Sequence, residues 1–494
     1  MPVPANFKEI EGSNTWKTAV PGDGLMKGKW WEIFGDPVLN GLEEKISVSN
    51  YNVKELEAEF RESVALIAVS RSGYYPTVTT GPAITQGDRG PNAGGVAGRA
   101  TSSTFSLPFS ASWIPDLWNR IGLTVEESNA TAQQSAANLE NLRLSLQGTL
   151  AVDYFELRGD DQQLDLLNTT ISIYQQYLDL TNNRFSGGVA ALSDVYLAQT
   201  QLYQTQAQAT DLGVTRNQYQ HAIAVLTGQA PAEFAIAAIH DNAPPAPAPA
   251  AGAAPSLVTP AVLDYSKLAP PPIPLALPSA LLERRPDIAA QERSVAAANA
   301  AIGLARTAWY PSLTLGATAG LQSGSLLNLL TWGSRTWSVG PSLAQTIFDA
   351  GKRRAQLRES IAAYDAQANA YRQTVLSAFQ QVEDNLSTLR VLAQEAQQQA
   401  LAVDASVKSL NLEIERYRAG TDSYLNVITT QQIELTNART AVTLHQERLT
   451  AAVNLILALG GGWDNSALPT PDQLRSADMA DPAKTENVAQ PVAR

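Results

Sequence analysis

Hydrophobic positions along this chain follow two periods, one helical and one typical of strands. Residues 105–111 read Phe-Ser-Leu-Pro-Phe-Ser-Ala, so that apolar side chains alternate with small or polar ones. Similar Thr- and Ser-rich segments precede it and recur once in the second half. Helical spacing is found in two leading stretches, 38–72 and 287–308, and the proline-free stretches 116–230 and 342–468 contain the long helices, predicted at 122–182, 192–226, 351–416 and from the break at 419–420 to 459. The pattern predicts long helices interrupted by short strand hairpins.

The predicted elements occur in the same order in two halves of the chain. Each half has a leading helix, a hairpin of roughly ten-residue strands and a long helical hairpin. We predict five regions: an extended N-terminal segment 1–37, a first repeat 38–235, a Pro/Ala-rich linker 236–277, a second repeat 278–463 and a flexible polar tail 464–494. The strand hairpins are predicted at about 76–113 and 311–346, and the tips of the helical hairpins near 184–192 and 416–424.

The clearest sign of the repeat lies at these two tips. Residues 184–188, Arg-Phe-Ser-Gly-Gly, align without a gap with residues 416–420, Arg-Tyr-Arg-Ala-Gly. A glycine between two long helices supplies the positive φ of a helix end or tight turn. Because each turn lies far along a helical hairpin, we expect a partner to dock or an aperture to close there. The tip residues are Arg184, Gly187, Gly188, Arg416, Ala419 and Gly420.

Composition and motifs argue against several classes of function. The 494 residues carry a net charge of −12, which argues against nucleic-acid binding because that needs a basic face. The chain has no cysteine, and it contains no spacing typical of a catalytic, metal or phosphate site. We therefore expect neither an enzyme nor a bound cofactor or metal. No apolar run approaches the ~20 residues of a membrane-spanning helix, whereas tilted strands of about ten residues match the thickness of a bilayer.

Several motifs carry a resemblance to a known family. They are Trp30–Pro37, Pro278–Ile288, Ala297–Gly303, Tyr310–Ser312, Phe348–Gly351 and Arg416–Gly420. In these motifs the chain resembles the TolC/OprM-like outer-membrane efflux proteins, and in particular the NodT-type channels of RND efflux systems. The resemblance extends from about residue 28 to residue 463.

The resemblance implies an α+β membrane protein with two internal structural repeats that assembles as a homotrimer. Four strands from each protomer would form a shared 12-stranded transmembrane β-barrel, continued by a long α-helical barrel in the periplasm. The implied location is the outer membrane of a Gram-negative bacterium. The implied partners are outer-membrane lipid, a periplasmic adaptor and an inner-membrane RND transporter. Many NodT-type members are lipoproteins anchored through an N-terminal cysteine; here that cysteine was removed with the signal, or the protein is not lipidated.

The resemblance also assigns residues to a periplasmic gate. Asp194 and Tyr417 match a network that holds the tips closed. Family members often place acidic constriction residues where this chain has Asn426 and Thr429, and the nearby Asp422 is the acid that replaces them. The basic partner seen in some relatives falls at Asp422, so that particular salt link cannot form here.

These observations predict an exit duct of a tripartite efflux system. It would passively conduct toxic compounds, drugs or metal ions from the adaptor and pump to the outside, and so contribute to multidrug resistance. An alternative is a duct for type I protein secretion, which the sequence barely separates from it. A second alternative, of another class, is a soluble coiled-coil scaffold, which would gain nothing from the Thr/Ser/Phe hairpins.

Overall fold

A computed structural model of the chain describes residues 8, 17–18, 28–89, 100–238, 270–271, 273–275 and 281–478. The strands are β1 (Lys17–Thr18), β2 (Thr77–Thr80), β3 (Ala83–Arg89), β4 (Ala100–Trp113), β5 (Pro274–Leu275), β6 (Ser312–Ser323) and β7 (Arg335–Ala344). The helices are α1 (Pro37–Ser49), α2 (Tyr51–Ser72), α3 (Arg120–Ser186), α4 (Leu192–Leu226), α5 (Leu281–Arg284), α6 (Pro286–Thr307), α7 (Lys352–Arg418), α8 (Tyr424–Ala458) and α9 (Pro471–Asp478). In the described part of the chain, no helix has an apolar stretch long enough to cross a lipid bilayer.

The long helices occur in two pairs of equal length. Helices α3 and α7 each contain 67 residues, about 100 Å at 1.5 Å per residue, and α4 and α8 each contain 35. Leucine, alanine and glutamine are the most frequent residues of these helices, and all three favour helix. The chain reverses direction between α3 and α4 and again between α7 and α8, at the two predicted tips.

Two compact units divide the described chain. The first contains the tips, and is formed by residues 1–56, 138–288 and 374–467. Its largest apolar cluster includes Trp30, Leu39, Tyr154 and Ile223, all fully buried. Asp36 caps α1, because its Oδ1 accepts hydrogen bonds from the amides of residues 38 and 39 at 2.8 and 3.3 Å.

The second unit contains the sheet, and is formed by residues 57–137, 289–373 and 468–494. Its antiparallel strands run in the order β2–β4–β6–β7, with β3 also paired to β4. Stacked rings of Trp118 and Tyr310, with centroids 4.8 Å apart, connect the ends of β4 and β6. The indole Nε1 of Trp118 also donates to the carbonyl of Pro311 at 2.7 Å.

The register of the sheet separates an apolar face from a polar one. Residues opposite one another in neighbouring strands lie on the same face. One face carries the rows Val78–Ala111–Ala317–Val339 and Thr80–Phe109–Ala319–Trp337, and the other carries Thr77–Ser112–Gly316–Gly340 and Thr79–Ser110–Thr318–Ser338. The large side chains of the apolar face are exposed, with Trp337 75% and Val339 72% accessible. An exposed apolar face of this kind needs a covering, and the described part of the chain supplies none.

Three predicted boundaries differ from the structure. Residues 30–34, predicted to be extended, form a 3-10 helix, because the two tryptophans pack into the apolar cluster. The predicted helix 38–72 breaks at Asn50, whose Oδ1 accepts from the amides of residues 52 and 53 and caps α2. The first strand of the first hairpin is interrupted at Gly81 and Pro82, because proline lacks the amide that a ladder needs.

The predicted flexible tail is also partly wrong. Helix α9 occupies residues 471–478, and Leu474 is 1% exposed in a cluster with Phe60, Val64 and Ile67. Burial of this one leucine against α2 explains why a polar segment is helical here. The tail beyond residue 478 and most of the predicted linker, residues 239–269, lie outside the described residues.

The carboxyl group of Glu43 in α1 is buried in an environment that disfavours its charge. Glu43 is 0% exposed, and neither of its carboxylate oxygens has a hydrogen-bond partner in the described chain. Burial raises the pKa of Glu43 to about 9. The folded chain therefore holds this carboxyl protonated at neutral pH, whereas the unfolded chain releases the proton above about pH 4.3. The free energy of unfolding consequently falls as pH rises between these two values.

We predict that Glu43→Gln stabilises the protein at pH 8, because the amide needs no proton to be buried neutral. The melting temperature in detergent, followed by circular dichroism, should rise by roughly 2–4 °C at pH 8 and stay unchanged at pH 4.5. Glu59→Gln, at an exposed position of α2, serves as the control and should change neither value. An equal or lower melting temperature for Glu43→Gln at pH 8 would show that Glu43 is ionised in the fold.

Candidate functional site

The two predicted tip turns have the same backbone geometry. Gly188 and Gly420 adopt φ of +74° and +73°, in the left-handed region that only glycine enters without strain. The amide of the residue after each glycine bonds to the carbonyl of Arg184 or Arg416, at 2.8 and 3.0 Å respectively. This bond and the glycine's own amide bond complete a Schellman motif at the end of α3 and of α7.

Gly187 and Ala419 have a different part in these turns. Their amides bond to the carbonyls of Asn183 and Glu415 at 3.0 and 2.9 Å, which is the ordinary spacing within a helix. Neither residue has a positive φ. The turn therefore requires glycine only at positions 188 and 420, and alanine replaces glycine at 419 without strain.

The two equivalent tip arginines make different contacts. The guanidinium of Arg184 lies 4.4 Å from the ring centroid of Tyr417, and its Nη1 donates to the Tyr417 carbonyl at 3.2 Å. Arg416 is instead 62% exposed in its side chain and pairs with Glu413 at 2.8 Å. Arg184 consequently connects the first helical hairpin to the second, whereas Arg416 pairs with Glu413 of its own helix and, by its charge, contributes to the lowered pKa of Asp422.

Tyr417 lies in a buried aromatic cluster at the tips. It is 5% exposed, and its ring centroid is 5.3 Å from that of Tyr424. The hydroxyls of Tyr177 and Tyr417 have no hydrogen-bond partner in the described part of the chain. Burial raises the pKa of Tyr177 and of Tyr424. The remaining members of the cluster are Tyr174, Leu178, Val195, Ala198, Leu202, Leu410, Ile414, Val427 and Ile428.

Asp194 caps the returning helix of the first hairpin. Its Oδ2 accepts a hydrogen bond from the amide of Ala191 at 3.3 Å, and the Asp194 amide donates to the Ala191 carbonyl at 3.1 Å. A carboxylate in the first turn also interacts favourably with the helix dipole. The structure thus gives Asp194 a local structural role at the start of α4.

Asp422 and Asn426 are brought together at the start of α8. The Oδ1 of Asp422 accepts from the Ser423 amide at 2.7 Å and from the Asn426 Nδ2 at 2.6 Å. These two hydrogen bonds, followed by one with the Glu413 side chain, lower the pKa of Asp422. Thr429 is not part of this group, because its hydroxyl bonds to the carbonyl of Leu425 one turn back.

Two acids near the tips were not identified from the sequence. Glu413 lies beside Asp422 and Arg416, and only 16% of its side chain is exposed. Glu434 is 5% exposed, and burial raises its pKa to about 7. Helical spacing could have found Glu434, since it follows the buried Val427 by seven residues and lies on the same face of α8.

The family of the chain is established by its sequence. A sequence model described as outer membrane efflux protein matches residues 44–229 and again residues 277–461, which is more than half of the chain. The chain therefore belongs to the outer membrane efflux protein family. This assignment confirms the resemblance to the TolC/OprM-like proteins, the efflux function and the location in the outer membrane.

Related proteins are similar over nearly their full length. The chain is 29% identical to the probable efflux pump outer membrane protein TtgC of Pseudomonas putida, over 88% of this chain and 85% of that protein. It is 28% identical to the pyoverdine export outer membrane protein OpmQ of Pseudomonas putida, over 90% of both chains.

Solved structures agree with the fold. The outer-membrane channel OprN superimposes with a TM-score of 0.81 at 27% identity, over 94% of this chain and 97% of that one. The Campylobacter jejuni CmeC outer membrane channel gives a TM-score of 0.80 at 19% identity, over 98% and 97%. The mostly helical architecture with a small proportion of strands is therefore that of outer-membrane channels.

We predict that Arg184 stabilises the second tip and that Arg416 does not. A partly buried contact between an arginine and an aromatic ring contributes about 1 kcal/mol, so Arg184→Gln should speed amide hydrogen exchange over residues 417–424 about fivefold. Arg416→Gln, the matched change in the other repeat, should leave these amides within about twofold of the wild type. Equal effects of the two variants would contradict the asymmetry between the tips.

Proposed function

We propose that this protein is the exit duct of a tripartite efflux system. In this role three copies form one channel that conducts small molecules passively from an adaptor and an inner-membrane RND pump to the outside. The observation that carries the proposal is the five-stranded sheet, which is four strands wide because β2 and β3 both pair with β4. It has an exposed apolar face and outer edges that are unpaired among the described residues, within a chain of the outer membrane efflux family.

The apolar face supports insertion into lipid. Trp337, Val339, Val78 and Phe109 share this face, and each is at least half exposed. The opposite face carries serine, threonine and glycine, and the hydroxyls of Thr318 and Ser338 lie 2.7 Å apart on it. Strands that are apolar outside and polar inside are what a water-filled barrel in a membrane requires.

The open edges support assembly with other copies. Strands β2 and β7 lie at the two ends of the strand order, and neither has a second partner in the described chain. In hydrocarbon each unpaired amide or carbonyl costs several kcal/mol, so an open edge cannot stay exposed to lipid. Joining β7 of one copy to β2 of the next would close the sheet, and three copies would give the 12 strands that the family resemblance implies. Two internal repeats of one ancestral unit would account for the equal helix lengths.

The tips support a gate at the periplasmic end of the helices. In our proposal Tyr417, Asp422 and Asp194 hold the gate, and Asn426 supports Asp422 through its hydrogen bond. Thr429, which is exposed, would line the constriction without a charge. The surface formed by the turns at Gly188 and Gly420, with Arg184, Gly187, Arg416 and Ala419, would dock the adaptor.

The names of relatives support small molecules as substrates. Relatives include a toluene efflux protein, a solvent efflux protein and a pyoverdine export protein, all of Pseudomonas putida. We propose the same general class of cargo for this chain, namely toxic organic compounds or drugs, with no chemistry carried out on them.

The proposal is tested by the mass and the conductance of the same purified sample. Light scattering in detergent should give three times the chain mass of 52.8 kDa, and the sample should form ion-conducting channels in a planar bilayer. A monomer that does not conduct would refute the duct. A conducting assembly of another size would retain the channel but overturn the trimer.

For the gate, we predict that Tyr417→Ala raises single-channel conductance severalfold and that Tyr417→Phe does not. The alanine variant leaves a cavity beside Tyr424 and removes the surface on which Arg184 stacks. Phenylalanine preserves both contacts and loses only a hydroxyl that has no partner in the described chain. If both variants conduct like the wild type, Tyr417 is not a gate residue.

A further inference from the structure

The loop between β6 and β7 is unusually apolar for an exposed segment. Leu327, Leu330 and Trp332 are 92%, 80% and 80% exposed. This loop lies at the end of the hairpin where Leu321 pairs with Arg335, and the opposite end leads into the helices. Under the proposed function, with helices in the periplasm, the loop lies at the outer leaflet of the membrane.

An arginine at this end of the sheet has an aromatic partner but no anion. The guanidinium of Arg335 lies 4.6 Å from the ring centroid of Trp332. Arg353, at the helical end, stacks in the same way on Trp309 at 4.9 Å but is also bound to the Asp349 carboxylate at 2.6 Å. Arg335 has no such carboxylate in the described chain, so its charge is available to an anion from outside.

A groove of about 350 Å³ runs along the apolar face near this arginine. Phe109 and Trp337 form its walls, and Ala317 and Ala319 lie between them on β6, where small side chains leave the space open. Arg335 precedes Trp337 by two residues in β7 and therefore points to the same face. A cationic head site and an apolar groove consequently lie side by side on one surface.

We propose that this surface binds one phosphorylated lipid of the outer leaflet, a lipid A. Its phosphate would bind Arg335 beside Trp332, and one acyl chain would lie in the groove between Phe109 and Trp337. Arginine suits a phosphate because its planar fork donates two parallel hydrogen bonds. This assignment rests on the proposed function, since it needs the sheet to stand in the outer membrane with the β6–β7 loop outermost.

Native mass spectrometry of the full-length protein in detergent tests the site with defined probes. These are hexa-acylated lipid A with two phosphates, the same lipid after dephosphorylation, and phosphatidylglycerol. The wild type should bind the phosphorylated lipid A more tightly than either other probe. Arg335→Gln should weaken that binding about fivefold, the effect of one basic residue at a membrane surface, and abolish the preference for phosphate. Arg475→Gln, at an exposed arginine of α9, is the control and should bind like the wild type.

A second variant tests the groove separately from the charge. Ala319→Phe fills the groove and should weaken phosphorylated and dephosphorylated lipid A equally. Unchanged binding by Arg335→Gln, or equal binding of phosphatidylglycerol and lipid A by the wild type, would overturn the site. Loss of the oligomer in Ala319→Phe would also overturn it, because a second copy would then occupy the groove.

Planar-bilayer conductance of the same samples keeps the two proposals distinct: a wild type that does not conduct refutes the duct, whereas conducting variants with unaltered lipid binding refute only this site.

Discussion

The constraint on which the account depends is the pairing of backbone groups at the edges of the sheet. The sheet formed by one chain is four strands wide, and its outer strands β2 and β7 have no further neighbour in the described residues. Water could form hydrogen bonds with the unpaired backbone groups of these edges. The exposed apolar face formed by Val78, Phe109 and Trp337 favours lipid instead, and lipid offers no such hydrogen bonds. In the proposed duct, other copies of the chain supply the missing strands and so meet both demands. Under that proposal the assembly follows from the sheet, and the closed assembly encloses the tunnel.

The helical tips show how equivalent sequence can acquire unequal roles. Arg184 and Arg416 occupy the same position in the two repeats, and the turns that follow them have the same backbone geometry. Yet only Arg184 stacks on a tyrosine, because its hairpin packs beside Tyr417, while Arg416 faces outward to Glu413. In the proposed gate, the contact of Arg184 with Tyr417 would let the first hairpin hold the second in place. Asp422, anchored by Asn426, keeps its charge at lower pH than an ordinary aspartate.

Local features of the fold could be read from the sequence, and contacts between distant segments could not. The turns at residues 188 and 420 are predictable, because a glycine after a long helical pattern indicates the left-handed residue that ends a helix. The helical hairpins are likewise evident from proline-free periodic stretches. In contrast, the burial of Glu43 and the formation of helix α9 around one buried leucine depend on tertiary packing, and the Nδ2 of Asn50, at the break between α1 and α2, donates to the carbonyl of Leu226, 176 residues away. For the same reason the sequence identified both Tyr417 and Arg184 as tip residues but not the contact between them.

The most direct test of the central claim is disulfide cross-linking between the edge strands in native membranes. The chain has no cysteine, so a pair placed with one member in β2 and one in β7 reports only the intended contact. A series of such pairs would sample the register, and a pair at Ala111 and Ala317, which are neighbours within one chain, would serve as the control. We expect covalent dimers and trimers on a non-reducing gel for some edge pairs, and monomers for the control. Monomers alone for every edge pair, in membranes where the control pair oxidises fully, would contradict closure of the sheet by other copies.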